Sequence, residues 1–205
     1  MPSRIQVLPD VVVNKIAAGE VVERPASIVK ELVENAIDAG TDRIDIEVTG
    51  GGRSSIRVVD NGCGMSRDDA LLAIERHATS KLRQAADLEG LRTLGFRGEA
   101  LPSISAVSRL TLETCLPGEP EGTRLRIQDG RLGHVEAIGR DAGTTVLVED
   151  LFRNTPARRE FLKTASTEWR HIVQAVTGLA LAHSRVAFSL TRDGRPSLHL
   201  PRASS

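Results

Sequence analysis

The chain has 205 residues, 40% of them hydrophobic and 26% charged, and a formal net charge of zero, as is usual for a soluble globular domain with its own core. No apolar run approaches the roughly 18 residues of a membrane span, and the first residues lack the apolar stretch of a signal peptide. Cys63 and Cys115 have neither metal-ligand spacing nor the pattern of a disulfide framework, so we expect a cytoplasmic protein without a membrane partner.

In the first half of the chain, the pattern of apolar residues predicts three helices and two strands. A helix over residues 10–22 is interrupted near Gly19, and a second helix begins at Pro25 and stops at Ala39-Gly40. The other elements of this half are strands over 43–48 and 55–60, a loose hairpin loop at glycines 50–52 between them, and a helix over 67–77.

The second half predicts strands between two groups of helices. A short helix is expected over 103–107. It is followed by strands over 109–115, 123–129, 131–138 and 144–150, helices over 156–164 and 167–182, and a closing hairpin over 186–200 with Asp193-Gly194 at its tip. Connections this short favour antiparallel pairing. We therefore expect a two-layer α/β sandwich rather than a doubly wound parallel sheet.

The predicted helix that begins at Pro25 carries three polar residues on one stripe. Glu31, Asn35 and Asp38 are spaced i, i+4 and i+7, so their side chains point the same way, while the opposite arc is apolar. A solvated helix face is one interpretation. The other is a site that needs a carboxylate and an amide in front of the same ligand.

The segment DNGCGM, residues 60–65, directly follows a predicted strand. Gly62 and Gly64 leave backbone exposed where a planar ligand can approach, and Asp60 can accept a hydrogen bond from an exocyclic amine such as that of adenine. An ordinary Asp-Asn-Gly turn is the alternative, but such a turn needs only one glycine.

The segment LGFRGEAL, residues 94–101, has the chemistry of an anion site. Gly95 and Gly98 flank Phe96-Arg97 just before a predicted helix, where exposed backbone N–H groups can bind phosphate. A P-loop is excluded because the chain contains no Gly-Lys pair. Neither zinc-ligand spacing nor a GxSxG nucleophile elbow is present.

Two other features could also contact phosphate. In RHATSKL, residues 76–82, Thr79, Ser80 and Lys81 offer two hydroxyls and an ammonium, although the segment taken alone favours an ordinary solvated helix end. Residues 151–205 carry a net charge of +6 against −6 for residues 1–150. This basic C-terminal segment indicates either a surface near the phosphates of DNA or of a nucleotide, or a solvated Arg-rich face.

Taken in order, these motifs resemble a known family. Glu31 to Gly40, Asp60 to Gly64, Gly95 to Leu101 and Gly143-Thr144-Thr145 are similar to the four nucleotide-site motifs of the GHKL ATPase superfamily. Within it, the resemblance is closest to the MutL family of DNA mismatch-repair proteins. The segments that carry it are KIAAGEVVERPASIVKELVENAIDAG, DNGCGM, RHATSKL, TLGFRGEALPSISAVS and DLFRNTPARREFL.

The resemblance implies a fold, cofactors and residue roles. The fold is an α/β sandwich with helices on one face of a mixed, mostly antiparallel sheet, and ATP lies between helices and sheet with Mg²⁺. Glu31 would be the general base, Asn35 the magnesium ligand, and Asp60 the acceptor for the adenine amine, with Thr144 or Thr145 in support. The other expected nucleotide-binding residues are Asp38, Gly64, Thr79, Ser80, Lys81, Gly95, Phe96, Arg97 and Gly98, and residues 79–99 would form a lid over the phosphates.

The resemblance also implies domains and partners. We expect an N-terminal arm over 1–20, an ATP-binding domain over 21–200 and a tail over 201–205. Family members dimerise on ATP binding and act with a mismatch-recognition protein of the MutS type. Their second domain contributes a lysine to the γ-phosphate and much of the DNA-binding surface. Since this chain stops before such a domain, we expect slow ATP hydrolysis and weak DNA binding, and the alternative is a nucleotide-responsive scaffold with negligible turnover.

Overall fold

A single eight-stranded sheet organises the fold. The computed structural model describes residues 19, 21–76, 78 and 98–203. The strands are β1 (Arg43–Thr49), β2 (Ser55–Asp60), β3 (Arg109–Cys115), β4 (Gly122–Gln128), β5 (Arg131–Ile138), β6 (Gly143–Glu149), β7 (Ala187–Arg192) and β8 (Arg195–Leu200). Their order across the sheet is β5-β4-β3-β6-β2-β1-β7-β8. All neighbouring pairs are antiparallel except β1 and β7, which confirms a mixed, mostly antiparallel sheet.

Helices cover one face of this sheet. They are α1 (Pro25–Asp38), α2 (Arg67–Ala73), α3 (Ala100–Ser105), α4 (Pro156–Phe161) and α5 (Ala165–Ala182). The predicted positions are confirmed, although α2 and α4 end earlier than expected and α3 and α5 begin earlier. The helix predicted over 10–22 lies almost entirely outside the described residues. The described helices include none that is long and apolar enough to cross a bilayer.

The longest helices, α1 and α5, pack on each other. Proline occupies the first turn of α1, where its missing N–H leaves no hydrogen bond unmade, and Gly40 follows the helix end with a φ of 74°. The apolar arc of α1 is buried, and Ile28, Val29 and Val33 are fully inaccessible to solvent. Burial of each such side chain stabilises the fold by about 1.5–3 kcal/mol.

Three rows of side chains on neighbouring strands face the helices. Two rows are apolar: Val48, Ile56, Val148 and Leu110, then Ile46, Val58, Val146 and Leu112. The third row is Ile44, Asp60, Thr144 and Thr114. The strand register therefore collects the buried polar groups of β2, β6 and β3 at one end of an otherwise apolar layer.

The expectation of a loose loop at the triple glycine is wrong. Gly50–Gly52 forms a 3-10 turn in which Gly51 and Gly52 are buried. A Cβ at Gly51 would lie 2.6 Å from the carbonyl oxygen of Ala165, and one at Gly52 would lie 2.5 Å from the Cβ of Pro25. The first residues of α1 and α5 therefore contact this turn so closely that no side chain fits at Gly51 or Gly52.

The opposite face of the sheet is polar. Arg124 on β4 pairs with Glu113 on β3 at 2.6 Å and with Glu136 on β5 at 3.0 Å. Such partly exposed pairs contribute only about 0–1 kcal/mol each. This face therefore stays hydrated while the helical face forms the core.

Candidate functional site

The polar stripe of α1 lies at the edge of the buried face. Glu31, Asn35 and Asp38 are all partly exposed, whereas their apolar neighbours are buried. Because they are one turn apart on a rigid helix, their side chains leave the same side of α1. The arrangement presents two carboxylates and a neutral amide along a single line.

Asp60 ends β2 and turns its side chain toward the helical layer. Only 9% of the residue is exposed, and its Oδ1 accepts a hydrogen bond from the Gly62 N–H at 2.9 Å. Burial raises the pKa of the Asp60 carboxyl above its ordinary value, while the backbone N–H groups of Gly62 and Thr144 and the charge of Arg140 act in the opposite direction. A buried carboxylate held in this way has acceptor capacity left for a ligand.

The two threonines of β6 face opposite sides of the sheet. Thr144 pairs with Asp60 and points into the same layer, whereas Thr145 pairs with Val59 and points to the polar face. The structure therefore brings Thr144 together with Asp60 and separates Thr145 from that side chain. This distinction comes from the register, which no local sequence pattern specifies.

Thr114, which the sequence analysis did not single out, joins the segments around Asp60. It is fully buried on β3, its Oγ1 lies 3.1 Å from the Oγ1 of Thr144, and it accepts the Met65 N–H at 2.9 Å. One signal was available: Thr114 follows Leu110 and Leu112 in the inward phase of its strand, where a polar residue is unusual. Thr114 thus fixes the 61–65 loop against β3 and β6.

The same loop is bound to the end of α1. The Cys63 N–H donates to the carbonyl oxygen of Ala39 at 2.9 Å. The Oδ1 of Asn61 accepts the N–H groups of Asp42 and Arg43, each at 3.2 Å, so this asparagine holds the start of β1. These contacts place the C-terminal end of α1 and Asp60 in one region of the molecule.

Glycine is required at two positions because backbones touch there. Gly64 has a φ of 63°, and a Cβ added to it would lie 1.9 Å from the carbonyl oxygen of Cys115. Gly143 has a φ of 116°, and its Cβ would lie 2.2 Å from the carbonyl oxygen of Asp60. Both glycines therefore close the end of the sheet around Asp60, whether or not a ligand also uses their exposed backbone.

The expected phosphate segment is only partly described. Gly98 has a φ of 61° and, with Glu99, directly precedes α3. The other expected residues, Thr79, Ser80, Lys81, Gly95, Phe96 and Arg97, lie outside the described residues, as do most of the expected lid and the N-terminal arm.

Several basic residues of segment 151–205 are engaged within the fold. Arg158 donates to the carbonyl oxygen of Val22 and lies over the ring of Phe152, 4.3 Å from its centroid. Arg153 pairs with Asp129 at 3.0 Å. Part of the +6 charge of residues 151–205 therefore serves the domain itself.

A metal ion at this site would need coordinating atoms from a bound ligand as well as from the protein. Among the residues that the structure describes, no group of three His, Cys, Asp or Glu side chains could hold one. Mg²⁺ commonly takes one or two protein oxygens and completes its shell with phosphate oxygens and water. A single amide oxygen on α1 fits that donor set.

Comparisons with known proteins agree with this geometry. Residues 23–131, just over half of the chain, match the family described as Histidine kinase-, DNA gyrase B-, and HSP90-like ATPase. The chain is 53% identical to the DNA mismatch repair protein MutL of Pelobacter propionicus over 202 residues, which are 98% of this chain and 33% of that protein. It is 60% identical to MutL of Anaeromyxobacter dehalogenans over 193 residues, 94% of this chain and 32% of that protein.

A solved structure gives the same result in three dimensions. The Aquifex aeolicus MutL ATPase domain complexed with ADP is 34% identical and superposes with a TM-score of 0.74, over 90% of this chain and 66% of that chain. The chain therefore belongs to the histidine kinase-, DNA gyrase B- and HSP90-like ATPase family. Within that family its relatives are MutL proteins of DNA mismatch repair, and it corresponds to the MutL ATPase domain. It spans about a third of the length of the curated relatives that it matches.

Proposed function

We propose that this chain binds ATP with Mg²⁺ and hydrolyses ATP, as the ATP-binding part of a MutL-type mismatch-repair protein. The observation that carries the proposal is Asp60, a carboxylate with 9% exposure at the end of a central strand. Burying a carboxylate is costly, and among the described residues its hydrogen bonds come from backbone N–H groups alone. A site that must accept a hydrogen bond from the amine of adenine accounts for that cost.

The base would be bound around Asp60. The carboxylate would accept from the amine of adenine, Thr144 would support it from the same face, and Gly64 would provide the closely packed loop beside it. Thr145, on the other face, would contribute through its backbone. Asp38, the last residue of α1, would be a further nucleotide-binding residue beside the base.

Hydrolysis would take place on the other part of α1. Glu31 is the proposed general base, which would take a proton from the water that attacks the γ-phosphorus, an effect of about 10²- to 10⁴-fold in rate. Asn35 is the proposed magnesium ligand through its amide oxygen. Mg²⁺ supplies charge stabilisation on the phosphates when it is bound. Base and metal ligand must address the same phosphate, and a one-turn spacing on α1 satisfies that requirement.

The phosphates would be held by Gly98 together with Thr79, Ser80, Lys81, Gly95, Phe96 and Arg97. This assignment rests on the resemblance of these residues to the family motifs, and so do the proposed arm over 1–20 and the ATP-binding domain over 21–200. An ATPase is favoured over a scaffold without turnover because the chain belongs to an ATPase family. For the 205-residue chain assayed alone we expect turnover to be slow.

The proposal extends to the role of the whole protein in the cytoplasm. ATP binding would order the lid and promote a homodimer, and the dimer would pass the signal of a MutS-type mismatch-recognition protein to later repair steps. DNA would be bound weakly by the part described here. Light scattering of the empty, ADP-bound and ATP-analogue-bound chain tests the dimer, which only the analogue should favour.

The proposed site is tested by comparing the affinities of the protein for ATP and GTP. The parent protein should bind ATP more tightly than GTP, because an ionised Asp60 repels the O6 of guanine, and Asp60→Asn should lose about 1–3 kcal/mol of that preference. Competition of GTP against a labelled ATP analogue measures it. Equal displacement by ATP and GTP from the parent rules out the role of Asp60.

A further inference from the structure

A cavity on the polar face of the sheet reaches the residue that the proposed function places against adenine. It has a volume of about 320 Å³ at the ends of β1, β2 and β3, and Asp60 is part of its lining. Its other charged groups are Arg43, Asp45, Glu113, Arg140 and Asp141. The carboxylate of Asp60 points into the helical layer, and the positive charge of Arg140 acts on it from the cavity side of the sheet.

Most charges of this cavity are already paired. Arg43 binds Asp45 at 2.6 Å, and Glu113 binds Arg124 at 2.6 Å. Arg140 differs, because within the described part of the chain its hydrogen bonds go to backbone carbonyl oxygens, those of Glu113 and Asp141. Its stem lies against Gly122, whose added Cβ would be 2.7 Å from the Cγ of Arg140. The guanidinium is therefore held in place while its positive charge is not neutralised by a directly bound carboxylate.

We propose that Arg140 is a positioning residue for base recognition: its fixed positive charge keeps the Asp60 carboxylate ionised and so maintains the preference for adenine over guanine. The inference deepens the proposed function and rests on it. An ionised carboxylate only accepts hydrogen bonds, which suits the adenine amine and opposes the O6 of guanine. A protonated carboxyl can donate to that O6 and accept from the neighbouring N–H of guanine, so protonation abolishes the discrimination.

The acidic groups around Asp60 act in the opposite direction to Arg140, because they raise the pKa of its carboxyl. Glu113 and Asp141 in the cavity, and Asp38 on α1 next to the Ala39 that contacts the 61–65 loop, all disfavour a second negative charge. The buried Cys115 thiol lies at the end of β3. Burial itself raises the pKa of Asp60, and the charge of Arg140 opposes this rise. Loss of the charge must therefore move the protonation of Asp60 to higher pH.

The test is the ratio of ADP to GDP affinity as a function of pH. Calorimetric titrations between about pH 5 and pH 8 compare the parent with Arg140→Gln, Arg140→Lys and Arg109→Gln. The two nucleotides carry the same diphosphate, whose own titration cancels in the ratio. Arg109→Gln is the matched control, because it removes the same charge far from Asp60. Arg109 lies level with Ser55 in the sheet, since both pair with Glu149, and Ser55 is about 16 Å from Asp60 along β2.

We expect the ADP preference of the parent to fall on acidification, with a midpoint that moves to higher pH in Arg140→Gln only. At the pH where the parent begins to lose its preference, that variant should discriminate about threefold to tenfold less. Arg140→Lys, which keeps the charge, should restore the parent profile. A purely structural role would weaken ADP and GDP equally and leave the midpoint unchanged, and that result would overturn the proposal.

A second variant keeps the test decisive if Arg140→Gln does not fold. Asp141→Asn removes an exposed negative charge from the same cavity, so it should move the midpoint to lower pH. If Arg140→Gln does not fold, an unchanged midpoint in Asp141→Asn overturns an electrostatic role of this cavity, and with it that of the Arg140 charge. If Arg140→Gln folds, an equal shift in Arg140→Lys and Arg140→Gln overturns the role of the Arg140 charge while the base preference of the parent stands. A parent that binds ADP and GDP equally at every pH overturns the proposed function of Asp60 and this inference with it.

Discussion

Replacement of Gly64 by alanine tests how the loop beside Asp60 is held. Two costs add at this position. Its φ of 63° is a left-handed conformation that costs an L-residue about 1–2 kcal/mol. The new Cβ would also lie 1.9 Å from the carbonyl oxygen and 2.7 Å from the carbonyl carbon of Cys115, and both are backbone atoms that cannot rotate away.

Relief of this contact requires the loop or the end of β3 to move, which costs about 1–3 kcal/mol as in other overpacked sites. The two costs together predict that Gly64→Ala lowers the free energy of unfolding by about 2–5 kcal/mol. For a chain of this size, each kcal/mol corresponds to about 2–4 °C in Tm. Movement of the loop also displaces the Gly62 N–H from Asp60, so we expect ADP binding to weaken in the same variant.

Gly194→Ala is the matched control. Gly194 has a similar φ of 76°, but an added Cβ would meet nothing within 4 Å at the tip of the β7–β8 hairpin. This variant should therefore show only the conformational cost of about 1–2 kcal/mol and bind ADP normally. Urea unfolding and calorimetry of both variants measure the difference. Equal destabilisation of the two would show that the backbone contact between Gly64 and Cys115 does not constrain the loop.

The remaining predictions concern catalysis, metal and pH. Glu31→Ala should keep ATP binding and lose about 10²- to 10⁴-fold in turnover, because it removes the proposed base alone. A turnover assay beside a binding titration checks this prediction. Equal losses of binding and turnover would contradict it. Asn35→Ala should remove most of the magnesium dependence of ATP binding, measured by titration with and without Mg²⁺, and unchanged dependence would assign the metal to another residue. Burial raises the pKa of Asp60, so the protonated carboxyl favours the folded state. This stabilisation is fully present below the ordinary carboxyl pKa of about 3.9 and is lost as the pH rises through the folded-state pKa. The stability of the parent relative to Asp60→Asn should therefore decrease with rising pH in urea unfolding, and a constant difference would show that Asp60 titrates normally.

Local chemistry was enough to predict most of the elements. Pro25 and Gly40 limit α1 through backbone effects within one turn, so its bounds followed from sequence. Alternation predicted β1 and β2 because each has one buried and one polar face. The tight turn at the triple glycine cannot be predicted from local sequence, because its packing partner Ala165 is more than a hundred residues away in the chain.

The sequence alone determined which residue types are available for a nucleotide site: the acid and amide of α1, the Asp-x-Gly-x-Gly loop, and the family to which these motifs point. Their relative positions depend on contacts between segments that are far apart in the chain. Strand register, which depends on long-range pairing, places Thr144 and Thr114 in line with Asp60 and turns Thr145 away. Arg140 comes close to Asp60 for the same reason, since pairing of β6 with β2 brings the segment before β6 against the end of β2.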